Sequence, residues 1–213
     1  MNFEESIQTY NSLNLDEVID YRKFRDYSLT YHATSIEGCT LTGVEIRLLL
    51  DEGITPKAKP LEHSLMVKDH YEALQFALKK ARAKEPVTVG LIQTIGGWVL
   101  KNAGKVYNTA LGNIDSSKGE FRKRNVSAGG SYFVSYDKVE TYTRRLVENL
   151  QDEMQGNKST LDATELAFAA HFDLVTIHPF YDGNGRTSRL LMNYVQAYYN
   201  LPLAIVHKED RSA

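Results

Sequence analysis

An imidazole, a carboxylate, an amide and two guanidinium groups lie within twelve residues, in the segment H-P-F-Y-D-G-N-G-R-T-S-R that starts at residue 178. Two glycines are interleaved with them. The set comprises His178, Asp182, Gly183, Asn184, Gly185, Arg186 and Arg189. A ligand that carries several negatively charged oxygens, such as a phosphate ester, would suit the glycines, the amide and the guanidinium groups.

The order of these residues predicts a phosphate site at the start of a helix. Pro179 disfavours the α conformation at His178, so the apolar helix before it must end there. The following L-L-M-N-Y-V restores helical periodicity. Glycines let backbone N–H groups converge, and a helix N-terminus adds a positive dipole. Arg186 and Arg189, three residues apart, lie on one helical face and can reach further phosphate oxygens.

The remaining two groups suit the chemistry of phosphate transfer. A carboxylate such as Asp182 is a natural ligand for Mg²⁺ that bridges phosphate oxygens. His178 titrates near neutrality and could act as a general base. Taken singly, a histidine at a helix end is more often a cap, and G-N-G is more often a turn. Their coincidence in one short segment favours a phosphate-handling site.

The composition of the whole chain restricts the other functions. The 213 residues, with 42% hydrophobic and 24% charged residues, are typical of one globular domain with or without an extension. A net charge of −2 argues against general binding of nucleic acid or anionic membrane. The single cysteine, Cys39, excludes an internal disulfide. The N-terminal sequence lacks the features of a signal peptide, so we expect a cytoplasmic protein.

Helical periodicity dominates the rest of the sequence. We predict a helix over residues 15–34 that ends near Gly38. A second, short helix follows a Thr42/Glu45 capping box and is closed by Gly53. Two further helical segments follow residue 60. Further helices are predicted from 136 to about 154, from Asp162 to the quoted segment, and after it. Residues 55–60 (T-P-K-A-K-P) are the clearest linker.

Residues 105–135 have a different pattern. Gly119, Gly129 and Gly130 separate two strand-like pieces, F-R-K-R-N-V and S-Y-F-V, as in a hairpin. The predicted fold class is therefore mainly α, with one small β-hairpin.

The quoted segment resembles the Fic motif, H-P-F-x-[DE]-G-N-G-R-x-x-R, at every specified position. The similarity also covers the preceding helix, G-E-F-R-K-R-N-V and R-L-L-M-N. It implies a Fic fold, a helical bundle with a β-hairpin flap beside the active-site loop. Residues 1–58 would be an N-terminal helical extension and residues 59–213 the Fic domain. Because family members commonly continue into another helix, we expect that the C-terminus is short or truncated.

The resemblance also implies an activity and residue roles. Fic proteins transfer AMP from ATP to a protein hydroxyl, a reaction called AMPylation or adenylylation. His178 would deprotonate the hydroxyl, and Asp182 would bind Mg²⁺ between the α and β phosphates. Residues Gly183 to Gly185, including the Asn184 side chain, would hold phosphate, with Arg186 on the β and Arg189 on the γ phosphate. Phe180 would anchor the loop, and the flap near residues 121–134 would hold the target protein as an added strand.

A second resemblance lies upstream, in A-T-S-I-E-G. Many Fic proteins carry an N-terminal inhibitory helix with the pattern [ST]-x-x-x-E-[GN], a class II-like arrangement whose glutamate pairs with the second motif arginine. Glu37 and Gly38 match this pattern, whereas Ala33 stands where Ser or Thr is expected. The pattern predicts autoinhibition through a pair between Glu37 and Arg189.

Three other functions stay open from the sequence. The related Doc toxins transfer a phosphoryl group and carry lysine at the position of Gly185, so Gly185 favours AMP transfer. Some Fic proteins remove AMP from their targets, and Glu37 could position the water for that reaction. A binding module without turnover is disfavoured by the intact motif. The partner would be a protein with a Ser, Thr or Tyr hydroxyl, with self-modification and a homodimer as further options.

Overall fold

The computed structural model describes residues 2–128 and 130–209. Its α-helices are α1 (Phe3–Ser12), α2 (Tyr21–Ile36), α3 (Gly43–Glu52), α4 (Leu61–Arg82), α5 (Val89–Val99), α6 (Val139–Glu153), α7 (Thr160–Ile177) and α8 (Asn184–Tyr198). The strands are β1 (Val106–Thr109), β2 (Gly112–Asp115), β3 (Ser127–Ala128) and β4 (Ser131–Tyr132). Short 3₁₀ helices span Leu15–Glu17, Ser116–Lys118 and Tyr136–Lys138. None of the described helices combines the length and the apolar character needed to cross a lipid bilayer.

Helix α8 lies in the middle of the bundle, with nearly all of its side chains buried. It packs against α7, α4, α5 and α2, while α6 covers the other side of α7. The core side chains with 0% exposure include Leu74, Ile92, Leu174 and Val195. Burial of such apolar surface is the main stabilising contribution to this fold. The central position of α8 places its N-terminus, and therefore the motif, at a rigid point of the molecule.

A second hydrophobic cluster joins the N-terminal extension to the rest of the chain. Cys39, Leu41, Ile46 and Leu49 pack with Val67 of α4. Residues on both sides of the predicted boundary at residue 58 therefore share a core. Helix α3 forms as predicted: Thr42 and Glu45 make a reciprocal capping box, and Gly53 ends the helix at φ +70°.

The predicted β-hairpin is in the right region, but its strands are wrongly placed. The longer hairpin is formed by β1 and β2, with Val106 opposite Asp115. The segment F-R-K-R-N-V is not a strand, because the Arg122 N–H donates to the carbonyl of Pro179 instead of to a neighbouring strand. Only Ser131 and Tyr132 of S-Y-F-V pair, with residues 127–128. Gly129 lies outside the described residues.

Two helix starts also differ from the prediction. Helix α2 begins at Tyr21, after Asp20 caps it by accepting from the Lys23 N–H, and the residues before it form α1 and a 3₁₀ turn. Helix α7 begins at Thr160, because Ser159 is the cap and Asp162 lies in the first turn, donating its N–H to the Ser159 Oγ at 3.1 Å. In both places a nearby polar residue competes for the capping role.

Candidate active site

His178 lies where α7 ends, and its backbone is left-handed, with φ +53°. This conformation is uncommon for a residue other than glycine and turns the chain away from the helix axis. The ring Nδ1 lies 3.3 Å from the carbonyl oxygen of Val175. Since a carbonyl only accepts, Nδ1 carries the proton and Nε2 keeps its lone pair. Burial lowers the pKa of His178, outweighing the hydrogen bond to Val175, so the neutral ring can accept a proton at pH 7.

The ring of Phe133 stacks on His178, with the centroids 3.7 Å apart and the planes 12° from parallel. Phe133 directly follows β4 and so belongs to the flap. The side chain of Arg122 ties the same two segments together: Nε donates to the carbonyl of His178 at 2.8 Å, and Nη2 donates to that of Val134. The plane of the imidazole is therefore fixed by the flap as well as by its own loop.

The loop after His178 is anchored in the core by Phe180, which is 3% exposed. Its ring fits against Gly96, where a Cβ atom would lie 2.7 Å from Phe180 Cζ. The Asn184 side chain braces the loop: Oδ1 accepts from the Phe180 N–H, and Nδ2 donates to the Phe180 carbonyl, both at 2.9 Å. Asn184 is buried, and its side chain is used by the loop's own backbone. This contact gives Asn184 a structural role in the loop, and its contact with phosphate stays a prediction.

The N-terminus of α8 has the features of an anion site. Gly183 is the N-cap at φ +78°, a conformation that glycine adopts without strain, and no side chain caps the helix. The first backbone N–H groups of a helix have no acceptor within it. At α8 these groups, together with the helix dipole, point toward the loop that carries His178 and Asp182.

Arg186 lies in the first turn of α8 and is 1% exposed. Its Nη2 donates to Asp182 Oδ1 at 3.2 Å, and its Nη1 lies 3.5 Å from the carbonyl of Val99. Its Nε atom is buried and has no hydrogen-bond partner among the described residues. A buried guanidinium with so few acceptors favours a negatively charged ligand nearby.

Arg189, one turn further along α8, contacts the end of α2. Its Nη2 donates to Glu37 Oε1 at 2.6 Å and to the carbonyl of Ala33 at 3.1 Å. The side chains are 10% and 30% exposed, so this is a largely buried ion pair. A Cβ atom at Gly185 would lie 2.5 Å from Glu37 Oε1. The pairing that the sequence pattern predicts is thus present in the structure, and a side chain at position 185 would displace the Glu37 carboxylate from its present place.

Comparison with known proteins agrees with this geometry. Residues 86–196, just over half of the chain, match the sequence model described as the Fic/DOC family. The chain belongs to the Fic/DOC family.

Similar proteins support the same assignment. The chain is 33% identical to the protein adenylyltransferase Fic of Drosophila melanogaster over 183 residues. This aligned region covers 85% of this chain and 34% of the relative. The chain therefore spans about a third of the length of the curated relatives it matches. A Fic-domain-containing signalling protein from Bacteroides thetaiotaomicron has a TM-score of 0.85 at 27% identity, covering all of this chain and 78% of that one. Fic-1 from C. elegans has a TM-score of 0.69 at 28% identity, covering 87% and 52%.

The Fic fold brings together the motif residues named from the sequence, and Glu37 joins them from α2. Gly38 follows the helix end at φ +93°. Sequence reasoning missed three contributors: Arg122, Phe133 and the backbone carbonyl of Ala33. Arg122 stands among similar basic residues in F-R-K-R, so nothing in the sequence marks it as buried.

A fourth contributor that the sequence did not single out is His70, a fully buried residue of α4. Burial, followed by the charges of Arg189 and Arg186, lowers the pKa of His70 to about 3. Its Nδ1 lies 3.3 Å from the hydroxyl of Thr30 on α2. A neutral His70 lets α4 pack beside the two motif arginines without adding a further positive charge.

Proposed function

We propose that this Fic domain transfers AMP from ATP to a hydroxyl group of a target protein. The observation that carries the proposal is the convergence of a neutral histidine and two buried arginines on the uncapped N-terminus of α8. Curated relatives at 33% identity are protein adenylyltransferases. A nucleoside triphosphate has the charge and the length to engage both arginines at once.

His178 is the general base of the proposed reaction. The target oxygen attacks the α phosphorus, its proton passes to His178 Nε2, and the bond between the α phosphorus and the bridging oxygen breaks as pyrophosphate leaves. Arg186 would stabilise charge on the β phosphate, and the N–H groups of Gly183 to Gly185 would hold phosphate oxygens. The proton on Nδ1, shared with Val175, keeps Nε2 as the accepting atom.

Asp182 fits the expected Mg²⁺. Its side chain is 52% exposed, and Oδ1 accepts from the Gly183 N–H and from Arg186, while Oδ2 makes no hydrogen bond with the described residues. An accessible carboxylate oxygen next to a phosphate site is the ligand that Mg²⁺ usually takes from a protein. When bound, Mg²⁺ neutralises phosphate charge; Asp182 would hold and orient it.

Glu37 would act as an inhibitor in this scheme. While its carboxylate holds Arg189, the γ phosphate loses its cationic partner and meets a negative charge instead. ATP would then bind in a pose unsuited to in-line attack. Relief of inhibition would require that Glu37 leaves Arg189.

One observation bears on the phosphotransferase alternative. The Cβ of a Doc-like lysine at position 185 would lie 2.5 Å from Glu37 Oε1, so the Glu37 carboxylate would have to move to accommodate it, whereas Gly185 accommodates the pair as it stands. Removal of AMP remains the second candidate, because Glu37 is near enough to His178 to raise its pKa and could position a water. We expect the target to bind along the flap near residues 121–134, where Tyr132 is 90% exposed.

The test is the intact mass of the Glu37→Gly protein after incubation with ATP and Mg²⁺, with and without the added substitution His178→Ala. We expect an added adenylyl group on the single variant Glu37→Gly and none on the double variant that also carries His178→Ala. The double variant should still bind ATP in a calorimetric titration. An added phosphoryl group would favour the Doc-like reaction, and transfer that persists without His178 would refute the assigned base. Release of AMP from a modified protein would identify hydrolytic removal of AMP instead.

A further inference from the structure

A group of metal-ligating side chains lies outside the active site, where α2 meets the segment after α8. His32, His207 and Glu209 each offer one donor atom, and these atoms all lie within 4.8 Å of one another. Among residues 2–128 and 130–209, this group, here called the His32 cluster, brings together two imidazoles and a carboxylate. None of its members takes part in the chemistry proposed above.

The side chains of the His32 cluster already face one another. The rings of His32 and His207 meet edge to face with their centroids 4.5 Å apart. His32 Nδ1 lies 4.0 Å from Glu209 Oε2 and accepts a hydrogen bond of 3.3 Å from the Lys208 N–H. The Nδ1 atom of His32 is thus directed at the segment that supplies the other two donors, and zinc at Nδ1 would replace the Lys208 N–H on its single lone pair.

The donor set selects the kind of ion. Two imidazole nitrogens and one carboxylate suit Zn²⁺, which binds these groups at about 2.0–2.2 Å and completes its coordination with water. Mg²⁺ and Ca²⁺ prefer oxygen ligands only. Coordination would draw the donors together by roughly 1 Å relative to the distances present here. Glu209, whose side chain is 62% exposed, is free to rotate by that amount, while His32 at 16% supplies a fixed ligand.

We propose that the His32 cluster is a zinc-binding site that fastens α2 to the segment after α8. His32 lies on α2, five residues before Glu37. The segment with His207 and Glu209 is held to α8 through the Asn193 Nδ2 group, which donates to the carbonyl of Ala204 at 3.0 Å. Zinc would therefore join α2 to a segment that is hydrogen-bonded to α8, the helix whose Arg189 pairs with Glu37.

The neighbouring Lys208 weakens this site in a testable way. Its Nζ lies 3.9 Å from Glu209 Oε1 and is hydrogen-bonded to the Tyr31 hydroxyl. A positive charge at this distance opposes the binding of a second cation to Glu209. We therefore expect Lys208→Gln to bind zinc severalfold more tightly than the wild type.

Calorimetric titration with ZnCl₂, in the absence of nucleotide, tests the site. The double variant H207Q/E209Q changes exposed residues and should keep the fold. We expect it to bind zinc at least about tenfold more weakly than the wild type, a difference of about 1.4 kcal/mol. The matched control is His63→Gln, which removes a histidine outside the cluster and should bind as the wild type does. Equal zinc affinity in the wild type and H207Q/E209Q would overturn the proposal.

A second measurement tests the consequence for α2, which rests on the proposed function. Zinc should lower the rate of self-modification with Mg-ATP severalfold in the wild type and leave H207Q/E209Q unchanged. An equal effect on both proteins would contradict the fastening of α2. If zinc binds as expected but Glu37→Gly shows no AMP transfer at all, the proposed function fails and the zinc site stands.

Discussion

Replacing Glu37 by glycine should raise the rate of the proposed AMP transfer, and the structure sets the scale of the effect. The substitution removes a charge-assisted hydrogen bond of 2.6 Å between largely buried groups. Such a bond contributes roughly 1.5–3 kcal/mol. If this contact alone keeps Arg189 from the γ phosphate, its loss should raise the transfer rate by roughly 10- to 150-fold.

Initial rates with α-labelled ATP and Mg²⁺, read out as self-modification, provide the assay. Glu52→Gln is the matched control, because Glu52 is an exposed carboxylate at the end of α3, away from Arg189. Its rate should equal that of the wild type. Combining Glu37→Gly with Arg189→Ala should abolish the gain, since the arginine that glutamate releases is then missing.

Two results would refute this reasoning. Equal rates for the wild type and Glu37→Gly would show that the pair does not control access to Arg189. A gain of the same size in the Arg189→Ala background would show that glutamate acts elsewhere, for example on His178, whose pKa it raises.

Three further predictions concern the base and its support. The rate of Glu37→Gly should stay level from pH 8 down to about 6.5 and fall only below the ordinary pKa of histidine. Burial lowers the pKa of His178, and the substitution removes a charge that raises it. A midpoint above 7 in a pH–rate profile would contradict this. Arg122→Leu should lower the free energy of unfolding in urea by about 2–4 kcal/mol, since buried carbonyls lose their donor. The control Arg144→Leu, on the exposed face of α6, should change this free energy little. Phe133→Leu should reduce kcat roughly tenfold while ATP affinity in calorimetry stays unchanged, because the ring plane of His178 is released; a loss of ATP affinity alone would assign Phe133 to nucleotide binding instead.

The fold follows from the sequence where local signals are strong. The reciprocal caps of Thr42 and Glu45, and the break that Pro179 forces after α7, appear where the residues predict them. The flap does not follow, because its strands are only two residues long and pairing of that length has no periodicity to detect. Residues 121–126 take their conformation from hydrogen bonds to the motif loop, far along the chain. Local propensity carries no information about such partners.

The motif residues were predictable because they are close together in sequence, whereas their supports are distant. His178, Asp182 and the two arginines share one short segment. Phe133 and Arg122 reach that segment from the flap. The structural role of Asn184 could not be predicted, because an amide can bind either a phosphate or a backbone, and only the fold shows that the Phe180 backbone contacts Oδ1 and Nδ2 of Asn184.

The absence of Ser or Thr at position 33 has a physical explanation in the same terms. Arg189 Nη2 donates to the backbone carbonyl of Ala33, a group that every residue type supplies, as well as to Glu37. The end of α2 therefore offers the guanidinium two acceptors whatever side chain stands at position 33. Because Arg189 is largely buried beside Arg186, it needs a negative partner in the absence of nucleotide. Glu37 supplies that charge from within the chain, so the contact that would block ATP is also the contact that keeps the arginine compensated.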